Sequence, residues 1–119
     1  MTAPRRVIID CDPGNGIPGA DIDDGLAIAL ALAAPEHLSL DMVTVVSGNT
    51  HRDQGYAVAR TLLSRAGVDV PVFAGASAAL VEPSAPWRTR QDAASSRSDI
   101  IESWKGVRPP DPYDAHSAL

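Results

Sequence analysis

Five aspartates crowd into a short stretch near the start of the chain: Asp10 and Asp12 in Asp10-Cys11-Asp12-Pro13-Gly14, then Asp21, Asp23 and Asp24. Carboxylates this close raise the cost of ionising one another unless a cation neutralises them. A hard ion that takes oxygen ligands, Ca²⁺ or Mg²⁺, is the expected occupant. The competing reading is structural, because carboxylates in a first helical turn also complement free N–H groups and the helix dipole. Capping needs one or two acidic groups, however, and here there are five. A second candidate is Asn49 in Ser47-Gly48-Asn49-Thr50. Its neutral amide suits a hydroxyl-rich ligand, and an asparagine equally suits a tight turn.

Other residues with chemical potential read as structural. Gly14-Asn15-Gly16-Ile17-Pro18-Gly19 fits the letter of a dinucleotide-binding loop. Flanking aspartates would repel a pyrophosphate, and Pro18 lacks one of the backbone donors that should face it. A flexible loop over the site is the better reading. Cys11, between two aspartates, reads as a small buried core residue rather than a thiolate nucleophile. His37 reads as a surface residue, His51 as a solvated helix start close to Asn49, and His116 as part of the tail.

The elements that must position these groups follow from patterning. Val7-Ile8-Ile9 is a β-branched run that predicts a buried strand ending in the acidic residues. Turn formers occupy Pro13 to Gly19, after which Asp21 or Asp23 can cap a helix that Pro35 stops near Ala34. That helix is apolar all round, which predicts burial between neighbours. Leu38 to Val46 predicts a second strand. A second helix spans about Arg52 to Ala66, with Tyr56, Ala59, Leu62, Leu63 and Ala66 on one face and Gly67 ending it. Pro71 to Ala74 predicts a third strand. The order strand, helix, strand, helix, strand implies an α/β fold: an open, mostly parallel sheet with flanking helices, whose carboxyl strand edge is where ligands bind. Residues 82–119 are rich in proline and serine and predict an extended or partly disordered segment of the same domain, with only Asp99 to Lys105 weakly helical.

Composition bounds the function. The chain has 119 residues, a net charge of -5, 45% hydrophobic and 21% charged residues. An acidic balance argues against a nucleic-acid polymer as partner. A single cysteine gives no disulfide framework, and no apolar run approaches the roughly 20 residues needed to span a bilayer. The start of the chain lacks the apolar core of a signal peptide, so a cytoplasmic location and no membrane partner are expected.

The motifs together resemble the inosine-uridine preferring nucleoside hydrolases, whose signature is D-x-D-P-G-x-D-D-[small]-x-A followed one strand later by a G-N pair. This chain carries Asp10-Cys11-Asp12-Pro13-Gly14, Asp23-Asp24-Gly25-Leu26-Ala27 and Gly48-Asn49, and Val72-Phe73-Ala74-Gly75-Ala76 is similar to the family's third strand and following turn. The resemblance covers Val7 to about Val81. It implies the N-terminal βαβαβ part (residues 1–81) of a Rossmann-like nucleoside hydrolase domain. It also implies Ca²⁺-dependent hydrolysis of a ribonucleoside to ribose and base. Asp12 would bind the ion and act as general base on its water, with Asp24 as a second ligand and Asp10 against the same centre. Asp23 and Asn49 would hold the ribose hydroxyls.

Two departures stand out. Asn15 to Ile22 intervene where the family has one residue, so a loop is inserted at the site mouth: either a substrate lid, or a segment whose Asp21 competes with Asp23. The family's remaining calcium ligands and the histidine near the leaving base come from later segments, so the chain alone is expected to be incomplete for catalysis. It would then associate with itself or with the missing C-terminal part. Two other readings compete: a haloacid-dehalogenase-like phosphatase using Asp10 with Mg²⁺, for which Pro13-Gly14 is a poor fit, and a non-catalytic metal- or ribose-binding fragment.

Overall fold

The computed structural model describes residues 3–83 and 85–95. The elements run β1 (Arg5–Cys11), α1 (Asp23–Ala33), β2 (Leu38–Val45), α2 (Arg52–Arg65), β3 (Val72–Ala74) and α3 (Ala85–Ser95). The three strands form one parallel sheet in the order β1-β2-β3. This is the α/β architecture expected from the alternating pattern, with helices as the crossovers that parallel pairing requires.

One face of the sheet holds the core. Cys11, Val43, Val45 and Val72 from the strands pack against Ile28 of α1 and Ala59 and Leu63 of α2. The β1–β2 register slips between Val7 and Ile8, so that Val7 faces Leu40 and Ile8 faces Met42. The slip leaves Asp41 as the extra residue of a bulge. Arg6 meets Asp41 there, Nη2 to Oδ2 at 2.5 Å, on the exposed rim. Exposed pairs of this kind add little stability.

Burial on the other side differs from the sequence expectation. Val7 to Ile9 alternate instead of being wholly buried, and Ile8 is 59% exposed. In α1, Gly25, Ile28 and Ala31 are buried while Leu26 and Leu30 lie open. Ile8 is open because a parallel sheet is normally covered on both faces and the described residues supply one helical layer; Leu26 and Leu30 lie on the side of α1 opposite Ile28, which packs on the sheet. Asp10, Thr44 and Phe73 form a row across the uncovered face.

Helix ends also differ in mechanism. α1 begins after Ile22 with no side-chain cap, so neither Asp21 nor Asp23 caps it; Asp23 and Asp24 occupy its first turn instead. The end of α2 is built as expected. Gly67, at φ +70, donates its N–H to Ser64 O (3.0 Å), and Val68 donates to Leu63 O (3.2 Å). This is the Schellman pairing that a left-handed glycine permits. α3 occupies part of the stretch expected to lack regular structure. The weak helix expected over Asp99 to Lys105 and the residue His116 lie outside the described residues.

Candidate functional site

The site forms where the carboxyl ends of β1 and β2 meet the start of α1. Val46 N–H donates to Cys11 O (3.0 Å), which aligns the two strand ends and sets the turn after β2 beside Asp12. Asp12 then joins three segments. Its backbone N–H donates to Asp24 Oδ2 at 2.7 Å, its Oδ2 accepts the Asn49 backbone N–H, and its carbonyl accepts from Asn49 Nδ2 at 3.3 Å. Gly48 permits this approach, because a Cβ there would run into the Asp12 carboxylate.

Electrostatics at this junction are strained in one direction. Asp24 has its pKa raised, first by burial and then by the side chain and charge of Asp12, with the Asp23 charge adding to it; the Asp12 backbone N–H pulls the other way without cancelling them. Such crowding is what a bound cation relieves. The Cys11 thiol is pushed up to about 12 by burial and by the charges of Asp24, Asp10 and Asp12. It is 4% exposed and packs as a core residue, in line with the sequence reading.

The structure therefore brings together Asp12, Asp24 and Asn49. Asp10 accepts the Thr44 hydroxyl at 2.5 Å in the row on the uncovered sheet face. Asp23 and Asp21 are exposed. Among the described residues no group of three His, Cys, Asp or Glu side chains is close enough to hold a metal ion. Asp12 and Asp24 are in direct contact.

The inserted loop folds inward over this junction. Asp21 N–H donates to Asn49 Oδ1 and Asn49 Nδ2 donates to Asp21 O, both at 2.9 Å. Thr50, almost fully buried, donates its hydroxyl to Pro13 O at 3.3 Å and ties the loop's first residues to the same turn. Between this loop and α3 lies an open cleft of about 250 Å³, walled by Ile17, Ala20, Asn49, His51, Arg88 and Gln91 among others. That is below the roughly 300–1,000 Å³ of a complete small-molecule pocket.

Sequence reasoning missed Arg88 and Gln91. Arg88 Nη1 donates to Asn49 O (3.0 Å) and Gln91 Nε2 donates to Asn49 Oδ1 (3.0 Å). The signal available was their spacing: three residues apart on a helix they share a face. His51, expected to be solvated, is 54% exposed at its side chain and lies 3.2 Å from Asp92 Oδ2.

An open parallel α/β sheet with acidic residues and a Gly-Asn turn at its strand ends defines a class. The chain matches the inosine-uridine preferring nucleoside hydrolase family over residues 7–114 and belongs to it. It is similar to the non-specific ribonucleoside hydrolase RihC of Salmonella agona (strain SL483), with 42% identity over 83 residues, covering 70% of this chain and 24% of that protein. It is likewise similar to RihC of Salmonella enteritidis PT4 (strain P125109), with 41% identity over 83 residues. The chain thus spans about a quarter of the length of these relatives. No helix among the described residues is long and apolar enough to cross a membrane.

Proposed function

We propose that this chain carries the ion- and ribose-binding half of a ribonucleoside hydrolase site. In the reaction the C1′–N bond of the nucleoside breaks, a C1′–O bond forms from water, and the departing base takes a proton. Ca²⁺, when bound, supplies a water of lowered pKa. Asp12 and Asp24 would hold the ion, with Asp10 behind them on the same strand end. The junction of Asp12, Asp24 and Asn49 is the observation that carries this reading.

Asp12 has a distinct task. Its Oδ2 accepts the Asn49 N–H, which fixes the orientation of the carboxylate that would accept a proton from the attacking water as general base. Asp23, exposed in the first turn of α1, and Asn49 would engage the ribose hydroxyls. The Asn49 amide already serves Asp12, Asp21 and Gln91, so ribose would exchange with the inserted loop for its hydrogen bonds. Carboxylates around the sugar favour the positive charge that develops at C1′.

The remainder of the site, including a proton donor for the base and further ion ligands, would come from segments beyond the described ones. The uncovered face bearing Ile8 and Phe73 is where such a segment or a second copy would pack. The 119-residue chain alone is expected to release little ribose from inosine or uridine with Ca²⁺ present. Robust turnover by the chain alone would refute the half-site reading. The phosphatase alternative has no observation of its own to favour it.

A further inference from the structure

The helix α3 is joined to the site by polar side chains, and one of them is costly. Arg88 is 7% exposed, yet its Nε and Nη2 are buried with no hydrogen-bond partner. Burying a guanidinium that is only partly satisfied is unfavourable. Stacking on the Trp87 ring, 4.6 Å from its centroid, and an ion pair from Nη1 to Asp92 Oδ1 at 4.0 Å offset part of that cost. The satisfied nitrogen, Nη1, donates to the backbone carbonyl of Asn49 and more distantly to Gln91 Oε1 (3.4 Å).

Asn49 is the residue whose own N–H sits on the Asp12 carboxylate. The contacts therefore form a line: Arg88 holds the Asn49 carbonyl, Asn49 holds the Asp12 carboxylate, and the Asp12 backbone holds Asp24. Gln91 adds a second constraint. With Gln91 Nε2 and Asp21 N–H both donating to Asn49 Oδ1, the Nδ2 group must face the Asp12 and Asp21 carbonyls. One turn of α3 thus fixes both the backbone and the amide orientation of Asn49.

We propose that Arg88 is a positioning residue for the hydrolase site, acting through Asn49 to set the orientation of the Asp12 carboxylate, with Gln91 fixing the Asn49 amide. The proposal rests on the role of Asp12 given above. Its test needs neither ion nor nucleoside, so it fails separately from that role.

The test is amide hydrogen exchange and proton chemical shift by NMR on the full chain. Arg88→Met removes the donor and keeps most of the side-chain stem. The Asn49 backbone amide is expected to exchange roughly tenfold faster or more, as the loss of a charge-assisted hydrogen bond implies, and its proton resonance to move upfield. The sheet amides of Val43 and Val46, which donate to Pro71 O and Cys11 O, keep their protection. Arg88→Lys restores part of the Asn49 effect. Gln91→Ala shifts the Asn49 side-chain amide resonances and leaves its backbone amide near its original value. Unchanged Asn49 exchange in Arg88→Met overturns the proposal. So does an acceleration shared equally by Val43 and Val46, which would make Arg88 a general packing residue.

Discussion

Replacing Gly48 with alanine tests how tightly the junction is built. The positive-φ glycines among the described residues are Gly16, Gly19 and Gly67, so the backbone at Gly48 is open to alanine and the cost is steric. The new methyl would run into the Asp12 carboxylate, the group that accepts the Asn49 N–H. Relief requires Asp12 to swing away or the Gly48-Asn49 turn to retreat, and either movement breaks that hydrogen bond. A hydrogen bond to a charged group contributes about 1.5–3 kcal/mol. The stiffer unfolded chain returns about 0.4–1 kcal/mol. The net loss is therefore about 0.5–2.5 kcal/mol, read as a lower urea midpoint with an unchanged m-value. The same variant should lose the Asp12-dependent part of any Ca²⁺ binding. A neutral or stabilised Gly48→Ala chain would refute the claim that Asp12 is held in close contact with this turn.

Other outcomes follow from single groups. Gly67→Ala has nothing within 4 Å to strike, so its cost is that of a left-handed alanine, about 1–2 kcal/mol in urea unfolding, and Gly67→Asn should cost less. Asp24 has a folded pKa above its ordinary value; the stability tied to its protonated form is present below the ordinary carboxylate range and lost as pH rises through the raised value. The ion-free chain should therefore lose that contribution as pH rises from the ordinary carboxylate range, and Asp24→Asn should flatten the dependence in urea midpoints measured upward from that range. With its thiol pushed up to about 12 and 4% exposed, Cys11 should resist Ellman's reagent at pH 8 in the folded chain and react fully in urea.

Much of the fold was legible because its signals are local. The β-branched run at Val7 to Ile9, the stop at Pro35 and the left-handed Gly67 each declare an element or its end without tertiary information. The strand-end grouping of Asp12, Asp24 and the Gly48-Asn49 turn was legible too, since parallel strands present their carboxyl ends together. α3 was not. Its stretch Pro86-Trp87-Arg88-Thr89-Arg90-Gln91 has no apolar stripe, and it docks through Arg88 and Gln91 hydrogen bonds, which leave no periodic trace. Pro86, near its start, reads as a breaker but is tolerated in a first turn. The exposure of Ile8, Leu26 and Leu30 was hidden for a different reason: an apolar residue reads as core whether or not the described residues supply its cover. The position of Asp10 depended on its pairing with Thr44, a cross-strand contact fixed by register rather than by spacing.

The central claim is that Asp12 and Asp24 together form half of an ion site. Calorimetric titration of the chain with Ca²⁺ tests it most directly. Two carboxylates with water completing the shell should give one weak site, with Kd on the order of 10⁻⁴–10⁻³ M, and Asp24→Asn should abolish it while leaving the fold intact by circular dichroism. Absence of binding by the unmodified chain, or equal binding by Asp24→Asn, would contradict the account.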